Sequence, residues 1–205
     1  MVEFWVFERL TAKSTQVYAE TVDAKYGDAP RCPVCRGFIG SRSWIPPFRV
    51  RLRPGRDSAR PGDVVTGAGF DAFLGSQRFV DAWHAAGLTG VKSWESVAIL
   101  GYEGPSFYKA SLNTPTAVAD VSKMQVEYLH GPPSCPQCQR ADLKGYSGIV
   151  VEEETCGDDD LFSLTNISQL LASENVHRLA NDEELVGMTL TPARVFRPSF
   201  ASSRS

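Results

Sequence analysis

The chain has 205 residues, of which 42% are hydrophobic and 22% charged, with a formal net charge of −3. That length can bury a substantial core, and the composition is ordinary for a soluble globular protein. The balance of charge does not mark a nucleic-acid binder, and no apolar run approaches the roughly 20 residues of a membrane helix. Met1 to Leu10 carries Glu3 and Glu8 and no basic region, so it does not read as a signal peptide; the expected location is the cytoplasm.

Val2 to Phe7 is rich in residues that suit a pleat and reads as a strand, with Val17 to Val22 as its expected partner. Tyr26-Gly27-Asp28-Ala29-Pro30 is turn chemistry leading into Cys32-Pro33-Val34-Cys35. After Pro46-Pro47, the run from Phe48 to Arg53 alternates apolar and basic residues, the pattern of a half-exposed strand, and stops at Pro54-Gly55. Gly69 to Leu74 is short and apolar. Ser76 then stands at an N-cap, where its hydroxyl can accept from a free backbone N–H, and Phe79, Val80 and Trp83 share one face of the helix that follows. Gly87 closes that helix. Val91 to Tyr102, Phe107 to Leu112 and Lys123 to Leu129 read as strands, the last leading into Cys135-Pro136-Gln137-Cys138. Gly148 to Val151 and Ile167 to Ala172 read as strands, and Ser173 caps a second helix through Val176 and Leu179. Met188 to Phe196 closes the series as a strand.

The two C-P-x-C knuckles carry the chemistry. Each can wrap two thiolates round one ion, and together they supply the four ligands of a tetrahedral zinc site. They lie 103 residues apart. Knuckles of a compact zinc ribbon are spaced by roughly 15–20 residues, so a joint site here is a clamp within a larger domain. C-x-x-C also occurs in redox motifs, and disulfides are a third reading. Two proline-containing copies favour metal, and five cysteines without a secretory signal speak against disulfides. Cys156 is the odd thiol. His84, His130 and His177 are possible substitutes, but the four cysteines already complete a set.

The paired knuckles resemble the myxobacterial double-CXXCG paralogous family, whose members are regarded as immunity proteins against swarming-inhibition (Sit) toxins. The similarity runs over nearly the whole chain and includes Asp160-Leu161-Phe162 and the segment Leu170 to Val176. It departs from the pattern after each second cysteine, where Arg36 and Gln139 stand in place of glycine; Gly37 follows one position late, and the second knuckle has no nearby equivalent until Gly145. The resemblance implies an immunity role and a cognate protein toxin as partner.

Two charged stretches are candidate surfaces. From Arg31 to Arg60 there are eight arginines and one acid, Asp57. Such a stripe can bind phosphate backbones, but no aromatic is regularly interleaved for stacking, and a solvated strand face is the favoured reading. Glu152, Glu153, Glu154, Asp158, Asp159 and Asp160 surround Cys156 and form an acidic loop suited to a basic partner, or simply a solvated one. Gly-rich phosphate loops and the Gly-x-Ser-x-Gly elbow are absent from the sequence. A closed four-cysteine site is structural, so no enzymatic activity is expected.

The second half repeats the plan of the first. Ser76 stands 14 residues before Gly90, as Ser173 does before Gly187, and each interval ends in Leu-x-Gly ahead of a strand. We therefore expect an α+β fold of mainly antiparallel strands with two short helices. It is expected as one domain, residues 1–205, built of two pseudo-repeats (about 30–100 and 133–197). One structural zinc, held by Cys32, Cys35, Cys135 and Cys138, should bridge them. The expected function is binding and neutralising a cognate toxin, without membrane or nucleic acid; the alternative is a zinc-ribbon nucleic-acid-binding or regulatory protein.

Overall fold

The computed structural model describes residues 3–8, 16–39, 42–55, 60–68, 73–140 and 142–198. Its elements in chain order are β1 (Trp5–Phe7), β2 (Tyr18–Thr21), β3 (Lys25–Tyr26), β4 (Trp44–Ile45), β5 (Arg49–Arg53), β6 (Val64–Val65), β7 (Gly67–Ala68), β8 (Leu74–Ser76), α1 (Gln77–Ala85), β9 (Val91–Ser96), β10 (Ala98–Ile99), β11 (Phe107–Leu112), β12 (Gln125–Tyr128), β13 (Leu143–Ser147), β14 (Leu161–Ser163), β15 (Leu170–Ala172), α2 (Glu174–Asp182) and β16 (Leu190–Pro192). Mostly antiparallel strands with two short helices make this an α+β fold.

Two four-stranded antiparallel sheets carry the helices, in the orders β6-β8-β11-β9 and β14-β15-β1-β16. Their registers correspond. Val64 faces Gly75 as Leu161 faces Ala172. On the other side of the same strands, Tyr108 faces Gly75 as Trp5 faces Ala172. The third strand of each sheet is exchanged: β1 precedes the first knuckle but completes the sheet of α2, while β11 precedes the second knuckle but completes the sheet of α1.

The helix entries correspond in kind, the accepted N–H lying three residues after Ser76 and two after Ser173. The Ser76 hydroxyl accepts from Phe79 N at 3.2 Å, and that of Ser173 accepts from Asn175 N at 3.2 Å, each satisfying a backbone donor that the helix leaves unpaired. Each serine hydroxyl also donates to an aspartate 13 residues earlier, Ser76 to Asp63 at 3.0 Å and Ser173 to Asp160 at 2.7 Å. The second carboxylate oxygen of each aspartate reaches into the opposite half. Asp63 accepts from Val186 N at 3.1 Å, and Asp160 accepts from Thr89 N at 3.0 Å. The glycines that follow these residues, Gly90 and Gly187, have φ of 98° and 93°. A Cβ on Gly90 would collide with the Leu161 carbonyl, and one on Gly187 with the Val64 carbonyl. Each loop therefore lies directly on the other half's first sheet strand, an approach that only glycine permits.

The apolar residues sort into three cores. Trp5, Phe7, Phe73, Phe79, Trp83, Leu161, Val176 and Leu179 pack into one that joins both helices and both sheets, with Phe7 and Phe73 stacked at 4.9 Å. Val6, Ile149, Leu164 and Leu171 fill a second core, and Trp44, Phe48, Val50, Leu74 and Phe107 a third, each on the side of one sheet away from its helix. Burying each such side chain contributes roughly 1.5–3 kcal/mol.

Several sequence expectations are corrected. β1 does not pair with the Val17–Val22 stretch; β2 instead pairs with β5 and β7, because β1 is needed between β15 and β16. Gly148 takes a positive φ of 68°, so the predicted strand from Gly148 to Val151 is reduced to a single bridge at Val151, and the strand lies earlier, at β13. The predicted strand from Val91 to Tyr102 breaks after Ser96, and β10 leaves to pair in parallel with β5. The apolar run at Gly69–Leu74 lies largely outside the described residues, as do Arg56 and Asp57 of the arginine-rich stretch. Among the described residues, no helix is long and apolar enough to cross a membrane.

Candidate metal centre

Each knuckle sits at the tip of a hairpin. β3 and β4 carry the first, with Gly27 N donating to Ser43 O at 2.8 Å; β12 and β13 carry the second, with Leu129 N donating to Asp142 O at 2.8 Å. Within the knuckles the chain closes a tight turn. Arg36 N donates to Cys32 O at 2.9 Å, and Gln139 N donates to Cys135 O at 3.0 Å. Arg36 and Gln139 have φ of 62° and 48°. Both occupy the left-handed region that glycine enters without steric cost. The residues that depart from the double-CXXCG pattern thus adopt the backbone conformation that the missing glycines would favour.

The turns bring all four thiols together. The sulfur atoms of Cys32, Cys35, Cys135 and Cys138 lie within 4.8 Å of one another. Equivalent cysteines face each other, Cys32 Sγ to Cys135 Sγ at 3.8 Å and Cys35 Sγ to Cys138 Sγ at 3.7 Å. A tetrahedral ion with sulfur ligands at about 2.3 Å requires sulfur–sulfur edges of about 3.8 Å, so the set fits a four-coordinate metal. A disulfide needs sulfurs about 2.05 Å apart, and all five cysteines are free. Cys32, Cys135 and Cys138 are buried, and Ile39 packs against them. The Cys135 thiol is drawn down to about 6, first by the Cys138 backbone N–H, while burial pushes Cys138 up to about 12. Backbone N–H groups aimed at one sulfur supply part of the compensation that a buried thiolate needs.

No protein-family model matches the chain, and no curated protein matches it.

The remaining candidate residues separate. Cys156 stands outside the cluster, and its thiol is raised, first by burial and then by Asp158. His177 stacks on Trp5 at 4.6 Å, so its ring belongs to the packing of α2 on β1. The acidic loop does not act as one surface. Asp160 is the cap aspartate described above, also bonded by Asn175 Nδ2 at 2.9 Å, and Asp159 accepts from Asn113 Nδ2 at 2.9 Å. Glu152 accepts from Gln139 Nε2 at 3.1 Å, which ties the loop to the second knuckle. Glu153, Glu154 and Asp158 stay exposed, and both glutamates contribute to the raised pKa of Lys123, whose main partner is Asp120.

Sequence reasoning did not find the paired aspartates. Their signal was present, since Asp63 and Asp160 precede the cap serines by the same 13 residues. It did not find the left-handed roles of Arg36 and Gln139 either, because neither residue type announces that conformation.

Proposed function

We propose that this chain is a non-catalytic binding protein of the toxin-immunity type, whose two halves are a diverged duplication clamped by one structural zinc. The observation that carries the reading is the pair of left-handed residues Arg36 and Gln139. They give both knuckles the left-handed turn that glycine would otherwise supply after the second cysteine, which supports reading both as metal-binding knuckles of the double-CXXCG kind. Zinc suits four thiolates at these spacings better than hard cations do, which prefer oxygen ligands. Four thiolates also leave no open position for a substrate or an activated water, and the ion's contribution is to hold the two hairpin tips together. The correspondence of β6, β8, α1 and β9 with β14, β15, α2 and β16 supports duplication. The exchanged strands β11 and β1 extend each repeat to the segment before its knuckle. The cognate toxin is a protein, and Glu153, Glu154 and Asp158 are the part of the acidic loop left to meet it.

A nucleic-acid-binding role is the second reading, on one observation: Arg49 and Arg51 are exposed on the outer face of β5, whereas Arg53 is paired with Glu20 at 2.7 Å. Expression of the intact protein should protect cells from the toxin encoded beside it. Failure to protect, or turnover of a substrate by the isolated protein, rejects immunity. Salt-dependent binding of DNA or RNA at micromolar protein selects the second reading.

A further inference from the structure

A cleft of about 520 Å³ lies between the first knuckle lobe, β11 and the β14–β15 turn. Small-molecule sites occupy roughly 300–1,000 Å³. Its floor carries an unusual group. Lys109, on β11, is only 6% exposed, and its Nζ donates to Glu95 Oε2 at 2.8 Å and Ser111 Oγ at 2.5 Å, above the Phe48 ring at 4.8 Å. Ser111 Oγ in turn donates to Glu95. Burial would raise the Glu95 carboxyl, but the hydrogen bonds from Lys109 and Ser111 hold it below its ordinary value. Lys109, Ser111 and Glu95 are committed to one another, which removes Ser111 and Lys109 as a nucleophile and base pair.

The other half shows that the strand does not need this charge. Val6 faces Leu171 as Lys109 faces Leu74, and Val6 is fully buried among apolar side chains. A buried ion pair is commonly no more stabilising than the apolar residues it replaces. Lys109 instead lines the cleft, with its Nζ held by Glu95 and Ser111.

The rest of the lining defines the chemistry. Lys92 from β9 and Arg140 from beside the second knuckle both line the cleft and are exposed. Among the described residues, Asp28 is the only acid in the lining. The side chains of Lys92, Ser43, Thr114, Ser163 and Ser168 make no hydrogen bond among the described residues. We propose that this cleft is a binding site for a small organic molecule carrying two anionic groups, carboxylate or phosphate. Lys92, on β9, and Arg140, whose Nη1 also donates to the Phe38 carbonyl, meet the charges, and the serine and threonine hydroxyls donate to the remaining oxygens. This assignment stands independently of the toxin-immunity reading.

The test is an NMR titration of the metal-loaded full chain with succinate and, separately, with 3-phosphoglycerate, chloride holding ionic strength constant. Saturable amide shifts confined to residues 111–114 and 163–169 with at least one probe are expected, and the better probe distinguishes dicarboxylate from phosphoester. Lys92→Ala and Arg140→Ala should each weaken that binding about tenfold, the size of one charge-assisted hydrogen bond. Arg51→Ala, on the outer face of β5, should leave it unchanged. Absence of saturable shifts with both probes overturns the site. An equal loss in Arg51→Ala also overturns it, because the effect is then one of overall charge.

Discussion

Lys109 and Val6 hold corresponding places in two sheets of the same strand order, yet one is a buried cation and the other a buried aliphatic. Around them, the two halves agree in the features that fasten the molecule. Asp63 and Asp160 each bond a cap serine and the opposite half's loop, Gly90 and Gly187 each lie on an opposing strand, and the knuckles meet cysteine to matching cysteine. They differ in what faces the cleft and the solvent. Only the first half adds β5 and β10, with the exposed Arg49 and Arg51, and only the second carries the acidic loop. Features present twice satisfy requirements of the scaffold, namely unpaired backbone donors, close backbone approach and a shared cysteine cluster. Features present once are not required by that scaffold, and function is to be sought among them.

The largest effect should come from the clamp, which both halves share equally. Elemental analysis should find one zinc equivalent per chain. Structural zinc contributes folding free energy on the order of 10 kcal/mol, so Cys32→Ser and Cys135→Ser should each lower Tm severely and to a similar degree, with Cys156→Ser leaving it unchanged. A wide gap between Cys32→Ser and Cys135→Ser would break the equivalence. Two zincs per chain, or none in fresh reduced protein, would remove the clamp.

Next come the glycines. Gly90→Ala and Gly187→Ala add a Cβ at positive φ against an opposing carbonyl, and each should cost about 3 kcal/mol. Urea unfolding measures both; a change below about 1 kcal/mol in either one separates the halves at that contact.

Removing one cap aspartate is smaller. Asp63→Ala and Asp160→Ala should each lower stability by about 1–2 kcal/mol. Burial would raise the Asp160 carboxyl, but hydrogen bonds from Ser173, Thr89 and Asn175 hold its pKa below the ordinary value. The sign follows from linkage. Its contribution is fully present above the unfolded carboxylate range, near 3.9, and is lost as pH falls through the lower folded value. Asp160→Asn should therefore flatten the acid limb of stability against pH; an unaltered limb contradicts this.

The smallest effect on stability, and an informative one on function, belongs to an unmatched feature. Replacing Glu153, Glu154 and Asp158 by neutral residues should change stability by less than about 0.5 kcal/mol, because none of these side chains anchors the fold. It should also slow association with the cognate toxin several-fold and weaken its salt dependence. Unchanged association kinetics take the loop out of the interface.

The chain's local chemistry was readable before its folding. C-P-x-C marks a turn with two thiols, Ser76 and Ser173 mark helix starts, and Gly87 marks the exit of the first helix. These signals depend on a few neighbouring residues with distinctive side chains, so short stretches suffice to state them. The pairing of strands did not emerge in that way. β1, β8, β14, β15 and β16 are three residues each, too short for period-two alternation to assert itself, and a ladder of backbone bonds accepts many side chains. β13, with Lys144, Gly145 and Ser147, has no strand signal at all. Which half receives β1 was decided by burial of Trp5 and Phe7 in the joint core and of Val6 in the core beyond, not by anything within Trp5–Phe7. Asp160 reads as one acid among six in sequence, and only the arrival of Thr89, Ser173 and Asn175 makes it a cap and a tie. The sequence by itself determined the cysteine set and the helix starts, because both are local chemistry. Tertiary structure alone decided the strand exchange, the left-handed turns of Arg36 and Gln139 and the cleft over Lys109, because each is set by atoms distant in the chain.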